Sequence, residues 1–291
     1  MGFGRTLLFH LATSERFERG VKRSPGGEVM AWRAASRYVA GRSRSDALIT
    51  ASRLLEQGHG VSIDLFGERV HDPATADCVL TDYLALAAAL PPPPADVWLS
   101  VDLSHLALGT DAESVADRLA ALAGALPDGR RVQVGAEEAA TTDAVLGCVL
   151  TVAERGLAGR LGATLQANLT RTPTDLETLT GAGVHVRLVK GAYLEPTGAH
   201  PHGEATDVAY LRLAFRLAEG DVPFSLATHD ARLREALVLA RGPAPVEQLL
   251  GVRPETLREL SARGIPTRVY LPYGPNWFRY WMRRIAESHG A

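Results

Sequence analysis

Eight short runs of β-branched and other apolar residues punctuate this chain: VSIDL at 61–65, VWLSVDL at 97–103, RVQVG at 131–135, GATLQAN at 162–168, VHVRLVK at 184–190, PFSLATH at 223–229, VEQLL at 246–250 and PTRVYLP at 266–272. Each is of strand length, and their starts lie 20 to 39 residues apart. The intervals hold amphipathic helical patterns such as SDALITASRLLEQ (45–57), TADCVLTDYLALAAAL (75–90) and PETLRELSARG (254–264). Eight alternating strand and helix units in 291 residues predict an α/β fold, a (β/α)8 barrel over 43–291, preceded by an N-terminal helical segment over 1–42. A doubly wound open sheet is the weaker choice, because no GxGxxG follows the first strand. PPPPA at 91–95 reads as a stiff connector.

Charge narrows the partners. With 31 Lys and Arg against 33 Asp and Glu and no basic run, the chain is a poor nucleic-acid binder. The early GFGRTLLFHLATSERFERG has an apolar stretch broken by His10, too short for a signal peptide or a membrane span. A cytoplasmic location without a stable membrane span is the expectation. Cys78 and Cys148 lie in Ala- and Leu-rich segments without CxxC spacing, which predicts two buried free thiols.

In a barrel of this kind the chemistry sits at the C-terminal ends of the strands. Strand one ends in Asp64 and leads through Gly67 to Glu68, strand two ends in Asp102 and Ser104, and strand four in Gln166 and Asn168. Strand five gives Arg187, Lys190 and Tyr193, strand six Thr228, His229 and Asp230, strand eight Tyr270 and Tyr273. Asp64, Ser104 and Asp230 suit helix caps equally well. Arg187 differs, since Val186 and Leu188 flank it inside a buried strand, so it needs an anionic partner or a strong acceptor. On the last helix, Tyr280 lies three and four residues before Arg283 and Arg284 and shares a face with both. Turned toward the strand ends, that pair forms a fork suited to a carboxylate. His200 and His202 have H-x-H spacing but no third ligand, so no metal site is expected.

Taken together, RLVKGAYLEP (187–196), ATHD (227–230), LLGVRPE (249–255), YLPYG…W…YWMRR (270–284) and the earlier RYVAG…GHGVSIDLFGE (37–68) resemble the proline dehydrogenase family, in its order and at nearly its spacing from about residue 37 to residue 287. The resemblance implies a (β/α)8 flavoprotein that binds FAD non-covalently and oxidises a secondary amine to an imine by hydride transfer to flavin N5. It implies that Arg187 contacts the flavin near N5, that Gln166 lies on the isoalloxazine, that Ala136 is a further cofactor contact, that Lys190, Gly191 and Ala192 hold the phosphate and sugar portion, and that Thr228 and His229 lie further along it. Tyr193, Tyr270, Tyr280 and Leu249 match substrate-pocket residues, with Arg187, Tyr193 and Tyr270 nearest the chemistry. Arg283 and Arg284 match the pair that clamps the substrate carboxylate, and Glu68 a glutamate that gates it. The expected partner is a small amine or amino-acid-like substrate. The acceptor that reoxidises the flavin stays open between oxygen and a quinone.

Two positions depart from the family. Its strand-two lysine is Asp102 here, and its strand-three aspartate is Gly135. Asn168 also stands in place of an aromatic, and PVEQLL is slipped against the family's E-x-Q, leaving the roles of Glu247 and Gln248 open. Two unit charges about 4 Å apart interact by roughly 4 kcal/mol at an effective dielectric of 20, so replacing a cation by an anion disfavours a substrate carboxylate strongly. The expectation is therefore a substrate other than unmodified proline, one that places an amine or donor group at Asp102 and suits specialised biosynthesis. The alternatives are an ordinary proline dehydrogenase and a catalytically inactive barrel that acts as a binding protein.

Overall fold

The computed structural model describes residues 14–288 apart from positions 68 and 194. Eight parallel strands close into a barrel in chain order, with β8 returning to β1. They are β1 (Gly60–Leu65), β2 (Val97–Val101), β3 (Val132–Val134), β4 (Leu161–Gln166), β5 (His185–Val189), β6 (Phe224–Ala227), β7 (Val246–Leu249) and β8 (Thr267–Tyr273). Each expected run holds its strand to within one residue at the start and two at the end.

Before the barrel come α1 (Glu15–Arg23) and α2 (Gly27–Ala35), then α3 (Arg44–Glu56). Ser43 and Asp46 form a reciprocal capping box that starts α3 where the periodicity begins. This helix packs outside β1 and β8, filling the place a helix after β8 would take. The helix that does follow β8, which we number α11 (Trp277–Ser288), instead crosses the C-terminal mouth. The first two helices hold it there: Trp32 meets Trp277 edge-on at 5.0 Å between ring centroids, and Phe17 meets Phe278 at 6.1 Å.

Alternation along the strands gives the barrel wall two unlike faces. Outward stand Val61, Ile63, Leu99, Val101, Val186 and Leu188, all buried under the surrounding helices. Inward, polar groups replace the branched apolar layers that usually fill such a barrel. At the base Arg268 stacks on Trp98, 3.3 Å from the ring centroid, donates to the Val61 carbonyl at 2.6 Å and pairs with Asp96. Midway up lie Ser62, Ser100, Gln133, Arg187, Ser225 and Glu247, all buried.

One expectation is corrected outside the barrel. Both cysteines are free, but only Cys148 is buried; Cys78 is exposed. The helix carrying it, α4 (Pro73–Ala88), buries the stripe Ala76, Val79, Tyr83, Leu86 and Ala87, and Cys78 falls on the other side.

Candidate active site

The mouth is roofed by α11. Tyr280 is buried, its ring 6.3 Å from that of Tyr270 and 5.1 Å edge-on from Phe66, so this helix face looks toward the strand ends. Arg283 lies with its guanidinium carbon 5.5 Å from the Phe66 ring, and Arg284 lies 5.3 Å from the Tyr280 ring. Both arginines therefore stay beside aromatic faces at the edge of the mouth, where cation–π attraction helps hold them. Leu249 ends β7 opposite Tyr270 in the ladder. Glu68 lies outside the described residues.

Two carboxyl groups stand under this roof. Asp64 accepts hydrogen bonds from the Tyr83 hydroxyl at 2.9 Å and from the Tyr270 hydroxyl. Burial pushes its carboxyl up to about 6, against the pull of those hydrogen bonds and of the Arg187 charge. Asp64 is thus an inward group and not a helix cap. Asp102 lies directly over strand three: a β-carbon on Gly135 would sit 1.9 Å from its Oδ1. The two departures seen in the sequence are thereby one event in space. The Asp102 carboxylate fills the room that any side chain at 135 would need. Both acids bear on Tyr270, whose hydroxyl titrates well above an ordinary tyrosine, first from burial and then from the charges of Asp64 and Asp102.

Beneath them Arg187 crosses the lumen. Its Nη2 lies 2.6 Å from Glu247 Oε2 and donates to Ser62 Oγ at 3.3 Å. The buried strand arginine has the anionic partner its surroundings demand, and the partner comes from strand seven.

The ends of β4, β5 and β6 form a separate polar shelf. Gln166 donates to the Glu137 carbonyl at 2.9 Å, and Ala136 and Glu137 line a small void with it. Gly191 has φ of 109°, and a β-carbon there would lie 2.0 Å from Asn168 Oδ1, so only glycine fits between the two strand ends. Ala192 is exposed and Tyr193 half-buried at the start of the loop beyond. Thr228 Oγ1 accepts from the Asp230 backbone N–H at 3.0 Å. His229 Nε2 accepts from the Leu249 N–H at 3.3 Å, which puts the ring proton on Nδ1. Burial, then the charges of Arg253, Arg284 and Arg234, pull this imidazole down to about 4, so it is neutral near pH 7. Among the described residues, His229 Nδ1 and Asn168 Oδ1 are both buried without a hydrogen-bond partner.

Lys190 is not an open cation. It bridges Asp207 at 2.6 Å and Asp230 at 2.7 Å. Burial works against its ammonium, but the hydrogen bonds to those carboxylates outweigh it and hold Lys190 above an ordinary lysine. Asp230 also caps the helix after β6, accepting from the N–H groups of Arg232 and Leu233. Sequence reading missed both carboxylate partners of Lys190, and it missed Tyr83 and the role of Glu247. Glu247 was within reach, because it shares the inward face with Leu249 two residues on. Tyr83 was not, since it comes from an outer helix. Among the described residues no three His, Cys, Asp or Glu side chains converge as a metal site would require.

A family model described as proline dehydrogenase matches residues 47–291. The chain is 32% identical over 269 residues to a proline dehydrogenase of Deinococcus radiodurans, covering 88% of this chain and 87% of that protein. It is 31% identical over 263 residues to proline dehydrogenase 1 of Bacillus subtilis subsp. natto, covering 87% and 86%. Among solved structures, proline utilization A (PutA) from Bdellovibrio bacteriovorus, inactivated by N-propargylglycine, superposes with a TM-score of 0.80 at 20% identity. That match covers 97% of this chain but only 36% of the PutA chain, and it speaks for the fold.

Proposed function

The chain belongs to the proline dehydrogenase family of oxidoreductases, and from that premise we propose that it oxidises the C–N bond of a small proline-like amino acid with FAD as cofactor. The observation that carries the reading is the convergence of Tyr270, Tyr280, Arg283 and Arg284 over a lumen floored by Arg187.

The shelf of β4, β5 and β6 fits the cofactor. Its buried donor on His229 and acceptor on Asn168, unpaired among the described residues, suit a polar ligand. Gln166, the 190–192 backbone, Thr228 and His229 would hold it, with Arg187 beneath. FAD, when bound, supplies the two-electron acceptor for amine-to-imine oxidation. Lys190, spent on two carboxylates, orders the shelf rather than neutralising phosphate. The Arg283 and Arg284 guanidinium groups orient the substrate carboxylate, the two tyrosines and Leu249 enclose the ring, and α11 excludes water.

Asp102 sets the substrate class. A carboxylate at the mouth repels a substrate carboxylate and favours a donor group, so a proline analogue with a second amine fits better than proline itself. Ordinary proline oxidation is the second reading, favoured by relatives named proline dehydrogenase at 32% and 31% identity. Titration with FAD followed by anaerobic addition of L-proline or piperazine-2-carboxylate separates them. The expected result is FAD uptake near one-to-one, with the spectral change at lower concentration of the diamine. Asp102→Lys should strengthen proline binding about tenfold or more, worth roughly 1.4 kcal/mol, and weaken the diamine. A flavin-loaded Asp102→Lys protein with unchanged proline affinity means that Asp102 serves only as a partner of other protein groups. Protein that takes up no FAD leaves the inactive binding barrel.

A further inference from the structure

We infer that Glu247 is a positioning residue: it fixes Arg187 across the lumen and sets how much positive charge that arginine presents to the mouth. The inference rests on the FAD-dependent reading above. Arg187 belongs to β5 and Glu247 to β7, yet their side chains meet at 2.6 Å, with side-chain exposures of only 7% and 2%. The intervening strand completes the arrangement, because Ser225 of β6 donates to the other Glu247 oxygen at 2.5 Å. The same Arg187 Nη2 donates to Ser62 of β1. One guanidinium nitrogen, reaching across the lumen from β5, is therefore held at once by strand seven and by strand one. Among the described residues its Nε is buried without a hydrogen-bond partner, so one donor is left for a ligand.

Glu247 is an anion in this setting. Burial opposes its ionisation, but the charges of Arg187 and Arg268 and the hydrogen bonds from Arg187 and Ser225 hold it below the usual carboxylate range. One buried negative charge thus offsets part of the Arg187 cation at close range, where the surroundings screen weakly. Gln248 cannot substitute, because the next residue on a strand faces the opposite side. A cation beneath the cofactor stabilises negative charge on the reduced ring. By masking that cation in part, Glu247 lowers the reduction potential.

A buried ion pair could serve stability alone, so the test must read something that stability does not move. Full-length protein is loaded with FAD, and the midpoint potential and the FAD dissociation constant are measured for wild type, Glu247→Gln, Glu247→Asp, Ser225→Ala and the double variant Arg187→Gln/Glu247→Gln. Glu247→Gln should favour reduced over oxidised FAD by tenfold or more, about 30 mV positive for a two-electron couple. Ser225→Ala should move the same way by less, Glu247→Asp should restore most of the wild-type value, and the double variant should lose the positive shift. A folded, flavin-loaded Glu247→Gln protein at the wild-type potential overturns the inference and leaves Glu247 a structural partner. If Glu247→Gln does not fold, an unchanged potential in folded, flavin-loaded Ser225→Ala overturns it equally. Wild-type protein that takes up no FAD defeats the parent reading, visibly and before any variant is made, and this inference with it.

Discussion

The two faces of the barrel wall obey different rules. Val61, Ile63, Leu99 and Val101 turn outward into a continuous apolar layer under the helices, where burial alone suffices and no residue needs a particular partner. Ser62, Asp64, Ser100 and Arg187 turn inward from strands of the same sheet, and each is held by a named polar group. The outer face tolerates change in proportion to volume. The inner face tolerates change only in sets, because removing one member of a buried polar pair strands the other. The outer face therefore carries the stability of the barrel, and the inner face carries its chemistry at some cost in stability.

The largest expected effect tests the outer face. Leu99→Ala should destabilise the fold by about 2–5 kcal/mol through lost burial and the cavity it leaves, read as a shift in the urea midpoint at constant slope. A loss well under 1 kcal/mol would mean that the helices close over the gap and that the outer layer is less tightly packed than its burial implies.

Asp64 tests the inner face next. Its folded pKa of about 6 lies above the ordinary value of 3.8, so protonation is favoured in the folded state. The stability of the neutral form is fully present below about pH 4 and is lost as pH rises through 6, on the order of 3 kcal/mol since each pH unit of separation is worth about 1.4 kcal/mol. Asp64→Asn should remove that slope. The measurement is the wild-type minus variant stability at pH 4.5 and pH 7.5. Equal differences at the two pH values would place Asp64 as an ordinary anion, satisfied by Tyr83, Tyr270 and Arg187.

The smallest effect concerns the paired departures. Gly135→Ala should cost about 1–3 kcal/mol by overpacking, because its β-carbon meets Asp102 Oδ1. In Asp102→Ala/Gly135→Ala most of that loss should return, which thermal melts of the four proteins would show as non-additivity. Additive losses would separate the two positions and show that Asp102 reaches elsewhere.

The strand runs were legible because each is a local pattern of apolar residues bounded by turns, and tertiary context moved no strand start by more than one residue. The motif residues Gln166, Arg187, Thr228, His229, Tyr270, Tyr280, Arg283 and Arg284 were legible as types, through resemblance and through the demand a buried arginine makes. Their partners were not. Lys190 reads as a phosphate ligand in KGAY, yet Asp207 and Asp230, from the helix after β5 and the end of β6, already claim it. Tyr83 looks like one apolar residue in a helical stripe until the fold carries its hydroxyl to Asp64.

What this sequence determined by itself was the alternation of strand and helix, and with it the (β/α)8 barrel, since hydrophobic periodicity acts over a few residues and needs no distant contact. Only the tertiary structure decided that Glu247 answers Arg187, that α11 crosses the mouth while α3 takes the outer place beside β8, and that the Asp102 carboxylate occupies the space above Gly135. Charge pairing and side-chain overlap depend on distances of a few ångströms between residues tens of positions apart, and closure of the barrel sets those distances.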